Sequence, residues 1–289
     1  MTETGSNLRY VSRKRRVKED KRFVSGTGKY VQDVVLPNTK HAAVLQSPYP
    51  NARILSIDKT EAEAMVGVQT VLTGVELAEH IEPIRLGLKL PEVKWYPLAV
   101  GMVRYVGEWV AIVVADNPYI AEDALELIDV EYESFEPIMD PEEAFEDKIR
   151  LVHPGHGSNV LYHGHFTWGE VEADFANADD TLSFRSRWSR SSTVPIETFG
   201  VLAAWDEGTE VLDVWASIQM PNFVELLSST LRYPLNCVRL HQDVDVGGSY
   251  GVKRGIKHSV LVGYLCRKLR VPVRLIEDRV VNMSGSDSH

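Results

Sequence analysis

Residues 243–255 read DVDVGGSYGVKRG, and they dictate what the second half of the chain can become. The residues before them, CVRLHQDVDV (237–246), alternate apolar and polar positions as a strand does. The residues after them, IKHSVLVGYLCRKL (256–269), read as a helix that Pro272 stops, and VPVRLIED (271–278) returns as a strand. Upstream, EVLDVWASI (210–218) alternates with a strand period. PNFVELLSSTLRY follows, with Pro221 at a first-turn position and Phe223, Leu226, Leu227 and Leu231 on one helical face. The predicted order is strand, helix, strand, glycine loop, helix, strand.

A glycine loop opening into a helix presents unpaired backbone N–H groups, and the helix dipole adds positive character there. Without Cβ atoms at Gly247, Gly248 and Gly251, a phosphate, an oxo group or a flat ring can approach the main chain. The spacing is neither a Walker motif, since Arg254 follows Lys253 where Ser or Thr is required, nor a dinucleotide-binding one. On pattern alone, a plain turn and an anion cradle remain open. Gln219 ends the apolar strand WASI just before a helix start. That is where open α/β layers place ligands, and equally where a helix cap or loop amide sits.

The first half is β-rich. HAAVLQS (41–47) and ARILSID (52–58) read as strands, EAEAMVG (61–67) as a short helix closed by glycine, and VQTVLTG (68–74) as a strand. VRYVGEWVAIVVAD (103–116) reads as one long buried strand, and NPYIAEDALELIDVEYE (117–133) as a helix running into a strand. These elements predict a compact α+β unit of about 110 residues. The acidic, proline-bearing FEPIMDPEEAFED (135–147) is the candidate linker. The expected division is therefore a basic arm over 1–22, one domain over 23–140 and a second over 141–289.

The net charge of −10 argues against a general nucleic-acid binder. The basic run Arg13, Lys14, Arg15, Arg16 and Lys18 is read as a solvated or subunit-docking tail. No run approaches the roughly 18 apolar residues of a membrane span, and no signal-peptide core opens the chain. Cys237 and Cys266 suit a reducing, cytoplasmic compartment. Two thiols cannot hold an iron–sulfur cluster, which needs about four. Electrons from any redox chemistry here must leave through another chain.

The chain resembles the molybdenum-binding subunit of the xanthine dehydrogenase/aldehyde oxidase family, which includes aerobic carbon monoxide dehydrogenase. The resemblance rests on EDKRFVSGTGKYVQD, HAAVLQSPYPNARILSID, GVQTVLTG, PLAVGMVRYVGEWVAIVVAD, AEDALELIDVEYE and LVHPGHGSNV, in order. It continues through WGEVEADFANAD, PIETFG, WASIQMPNFVELLSSTL and DVDVGGSYGVK. It implies an α/β hammerhead domain, followed by the first part of a mixed α/β molybdopterin-binding domain. Gln219 stands where the family has a glutamine near the metal's oxo ligand. Gly247, Gly248, Ser249, Tyr250 and Gly251 occupy its cofactor-lining glycine motif.

Several positions depart from the family pattern. Ser249 and Tyr250 replace a glycine and a phenylalanine, Phe199 stands where relatives carry an arginine, and Arg254 replaces an acidic residue of purine-oxidising members. None of Glu197, Glu225 or Glu277 matches the family's activating glutamate, which the resemblance places far downstream. It implies half of a split subunit whose catalytic base belongs to a partner chain, with no residue here ligating the metal directly. The implied activity is insertion of a water-derived oxygen into an aldehyde or N-heterocycle, or oxidation of carbon monoxide. The implied cofactor is molybdopterin, plain or as a cytosine dinucleotide. Partner subunits would carry iron–sulfur clusters and FAD. A non-catalytic binding or assembly module is the alternative. His153, His156, His163 and His165 could suggest a metal, but no cysteine joins them and a surface or interface loop is expected. Trp168, Trp188 and Trp215 are expected in a core or an interface.

Overall fold

Seven consecutive buried residues, WVAIVVA, form β5 (Trp109–Ala115), a strand apolar on both faces and therefore central. The computed structural model that shows this describes residues 17–85, 93–147, 149–188 and 193–285. In chain order the strands are β1 (Lys40–Gln46), β2 (Ala52–Asp58), β3 (Val68–Thr73), β4 (Met102–Val103), β5, β6 (Asp129–Ser134), β7 (Gly200–Asp206), β8 (Val211–Ala216), β9 (Val238–His241) and β10 (Val273–Ile276). The helices are α1 (Asp20–Val24), α2 (Thr60–Ala64), α3 (Gly74–Ala78), α4 (Pro118–Leu125), α5 (Pro141–Glu146), α6 (Val171–Ala176), α7 (Phe223–Leu231), α8 (Ile256–Leu269) and α9 (Arg279–Gly285).

One mixed sheet runs β3-β5-β1-β10-β7-β8-β9, and a smaller antiparallel one runs β4-β2-β6. The large sheet crosses the boundary expected near residue 140. β1 pairs in parallel with β10, Lys40 opposite Val273 and Ala42 opposite Leu275. α8 covers this sheet on one face, with Val260, Leu261, Val262 and Leu265 wholly buried against β7 and α7. α4 covers β1 and β5 and is capped by Asn117, whose side chain accepts the Ile120 N–H at 3.0 Å.

Two strand readings were too long. Residues 103–116 are not one strand but β4 and β5, separated by a turn in which Gly107 takes φ +91°. A Cβ there would lie 2.5 Å from the Ser284 carbonyl oxygen, so glycine permits α9 to approach. Residues 237–246 pair only over Val238–His241. Beyond that, Asp243 and Asp245 are drawn away by Lys29 and Arg22. The stretch read as a linker contains α5, capped by Asp140 through the Glu142 N–H at 2.8 Å. Of the basic arm, Arg13, Lys14, Arg15 and Arg16 lie outside the described residues. Among the described residues no helix is long and apolar enough to cross a membrane.

Candidate functional site

The end of β8 and the glycine loop meet. β8 continues as Ser217, whose N–H donates to the Gly200 carbonyl at 3.0 Å and whose hydroxyl accepts the Gly200 N–H at 3.1 Å. This pins the strand end to β7. Two residues on, the Gln219 N–H donates to the Lys253 carbonyl at 2.8 Å. That single main-chain bond ties the Gln219 segment to the loop's exit. The Gln219 residue itself is exposed.

The loop is held from beneath by a group that sequence reasoning considered only as a catalytic base and set aside. Glu197 Oε2 accepts the Gly247 N–H at 2.6 Å and the ammonium of Lys253. Lys253 is wholly buried, and the Glu197 side chain is partly buried. Burial pushes the Lys253 ammonium below its ordinary pKa despite its carboxylate partner. Gly247 must lack a side chain here, because a Cβ would sit 2.6 Å from that of Glu197. The signal available in the sequence was one acid in the apolar run VPIETFG and one lysine after the glycines. Nothing in their spacing pairs them.

The loop's entrance is clamped as well. Arg22 makes a two-pronged ion pair with Asp245, at 2.6 and 2.5 Å, and the Lys29 N–H donates to the same carboxylate at 2.8 Å. The hydrogen bonds from Arg22 hold the Asp245 carboxyl below its usual value. Between clamps the backbone turns sharply, with positive φ at Gly248 (+90°), Tyr250 (+53°) and Gly251 (+103°). Ser249 is not among the positive-φ residues, so its substitution for glycine is unstrained. The strain falls on Tyr250 instead, and its ring is exposed above Gly248.

Two features of this loop suit an oxygen-rich ligand. Among the described residues, the amides of Gly248, Ser249, Tyr250 and Gly251 have no hydrogen-bond acceptor. Among the described residues the buried Ser249 hydroxyl has no partner, a costly arrangement unless a ligand completes it. The residues present therefore fit a pterin or oxo group approaching the main chain. The Phe199 side chain offers no polar group, though its carbonyl accepts the Glu277 N–H at 2.9 Å. Its buried ring packs on the His258 ring, centroids 4.1 Å apart, and against Gly255. Arg254 is exposed.

Behind the loop, α8 begins with a buried polar cluster. His258 Nε2 lies 2.6 Å from Glu277 Oε1, the Asn282 amide donates to Glu277 Oε2 at 2.8 Å, and the Lys257 ammonium donates to the Gly285 carbonyl at 2.6 Å. Burial acts to raise the Glu277 carboxyl, but His258, Asn282 and Lys257 outweigh it and hold the group below the usual glutamate value. A depressed carboxylate stabilises the fold at pH above its unfolded value, and that contribution is lost as pH falls through the folded one. Glu277→Gln is therefore expected to flatten the acid limb of the stability–pH curve, measured by urea unfolding below the ordinary carboxylate range. An unchanged limb would remove Glu277 from that role.

The histidine-rich stretch does not converge. Among the described residues no three His, Cys, Asp or Glu side chains gather as a metal site. His156 Nε2 instead lies 3.1 Å from the Val160 carbonyl, and His165 Nε2 lies 2.8 Å from the Thr167 hydroxyl. Trp215 stacks on His241, whereas Trp168 and Trp188 are exposed.

Comparison with known proteins identifies both parts of the chain. Residues 25–136 match the aldehyde oxidase and xanthine dehydrogenase a/b hammerhead domain, and residues 152–289 match the molybdopterin cofactor-binding domain. The gamma subunit of the 6-hydroxypseudooxynicotine dehydrogenase complex of Paenarthrobacter nicotinovorans is 34% identical over 94% of this chain and 35% of its own length. The carbon monoxide dehydrogenase large chain of Hydrogenophaga pseudoflava is 34% identical over 92% of this chain and 35% of its own. Among solved structures, quinoline 2-oxidoreductase from Pseudomonas putida 86 superposes with a TM-score of 0.83 at 36% identity, over 92% of this chain and 34% of that one. The chain thus spans about a third of the length of the relatives it matches.

Proposed function

The chain belongs to the aldehyde oxidase and xanthine dehydrogenase family, and we propose that it forms one wall of the molybdenum-cofactor pocket of a multi-subunit hydroxylase. The enzyme would insert a water-derived oxygen into an aldehyde or N-heterocyclic substrate, or oxidise carbon monoxide. The observation that carries this reading is the joining of Gln219 to the glycine loop through the Lys253 carbonyl, beside a buried serine hydroxyl that has no partner among the described residues.

When bound, the cofactor supplies oxygen-atom transfer and accepts the two electrons released. This chain's own groups bind and orient. The amides of Gly248 to Gly251 donate to ligand oxygens as an oxyanion site does, and the Ser249 hydroxyl adds a donor. The Gln219 carboxamide would add a further donor to that ligand. No group here is assigned as the base. That role is assigned to a partner chain, and the iron–sulfur and flavin centres that would carry electrons away to further partner subunits.

Metal and pterin analysis of the assembled complex tests the proposal, with one molybdenum and one pterin expected per chain. A complex that assembles without pterin would end it and favour a purely structural module. Within that complex, Gln219→Ala is expected to lower kcat by about 100-fold, the scale of one lost transition-state donor. Assembly and metal content should not change. Wild-type turnover in the variant would remove Gln219 from the site.

A further inference from the structure

Residues 161–188 form a run of twenty-eight in which no side chain is buried. Such a run is ordinarily polar, yet this one displays Phe166, Trp168, Leu182, Phe184 and Trp188, the last three 82–90% exposed. A folded chain seldom leaves so much contiguous apolar surface in water unless something covers it. The composition is also unlike that of a disordered linker, which is poor in aromatics.

The end of the run has a direction. Over 181–188, Leu182, Phe184, Ser186 and Trp188 alternate with Ser183, Arg185 and Arg187, the period of a strand with one apolar face. Arg185 reaches Glu142 at 2.6 Å and Arg187 reaches Asp140 at 2.8 Å, so the charged face turns toward α5. These pairs are too exposed to hold the segment by themselves, but they orient it. The apolar face is left outward, with its main chain paired to no strand among the described residues. A strand of this kind is a template for another strand.

We infer that residues 181–188 are a docking strand, onto which an apolar strand from the rest of the molybdopterin-binding assembly adds. The inference rests on the function proposed above. The segment lies inside the match to the molybdopterin domain, and relatives of the same fold carry about twice as much further polypeptide. With both arginines engaged by α5, the outward face is uncharged, which suits an apolar polypeptide strand and not a nucleic acid or an acidic surface.

The double variant Leu182→Lys with Phe184→Lys tests this. Both side chains are solvent-exposed, so the isolated full chain is expected to melt at the wild-type temperature. Its affinity for the partner chain that completes the molybdopterin-binding domain should fall by at least ~100-fold, the loss of two central apolar anchors. Hydrogen exchange supplies a second readout. Amides of 181–188 should exchange freely in the isolated chain and be slowed at least ~100-fold in the assembled complex. Equally fast exchange in both would overturn the inference, as would wild-type affinity in the variant. Protection in the isolated chain accompanied by self-association in sedimentation would do the same, since a second copy would then be the occupant. A complex that lacks pterin but protects the strand would sink the proposed function and leave the docking strand standing.

Discussion

Glu197→Ala is expected to cost about 3–5 kcal/mol of folding stability, the scale for stripping one partner from a buried ion pair. The variant leaves the wholly buried Lys253 ammonium without its ion-pair partner and the Gly247 N–H without its acceptor. Against a total stability of about 5–15 kcal/mol, such a loss threatens folding outright, and urea unfolding should show a large fall in midpoint. Lys253→Met makes the sign of the argument testable. It removes the charge that requires the carboxylate, while Glu197 keeps partial solvent access and its bond to Gly247. Its cost should be less than half that of Glu197→Ala. A loss below about 1 kcal/mol for Glu197→Ala, as exposed pairs give, would show that the pair does not anchor the loop.

The second large effect is expected at Gly255, which opens α8 with φ +64°. A Cβ there would lie 2.3 Å from two atoms of the Phe199 ring and 3.0 Å from Ile218. Gly255→Ala therefore combines a left-handed backbone, about 1–2 kcal/mol for a residue with a side chain, with overpacking of about 1–3 kcal/mol. Gly26 provides the control: its φ is +71°, and a Cβ there meets nothing within 4 Å. Gly26→Ala should carry the backbone part alone, so the difference between the two variants isolates the steric part. Thermal unfolding of both is the measurement. Equal losses would mean that the Phe199 ring gives way freely. A shift of Phe199 would also disturb the Gln219 segment, since Ile218 and Phe199 both crowd Gly255.

Most of the element order was legible in the residues. The strand, helix, strand, glycine loop, helix, strand order of the second half needed only alternation, helical spacing and Pro and Gly punctuation, all features of near neighbours. The readings that ran too long, over 103–116 and 237–246, failed for a common reason. Apolar alternation marks what a segment prefers, but Gly107 and the aspartates at 243 and 245 answer to partners far away. Gly107 yields to the end of α9, and the aspartates to Lys29 and Arg22.

The sequence by itself determined the family resemblance, the place of the glycine loop before a helix, and the candidacy of Gln219 and the residues from Gly247 to Gly251. Each of these is written in contiguous residues whose pattern survives without knowledge of the fold. Only the tertiary structure decided that Glu197 reaches across 50 positions to Gly247 and 56 to Lys253, or that β1 closes on β10 to make one sheet of both halves. Such pairings carry no period. The ion pair forms because burying a lysine requires a counter-charge, and the chain's path alone determines which carboxylate can supply it.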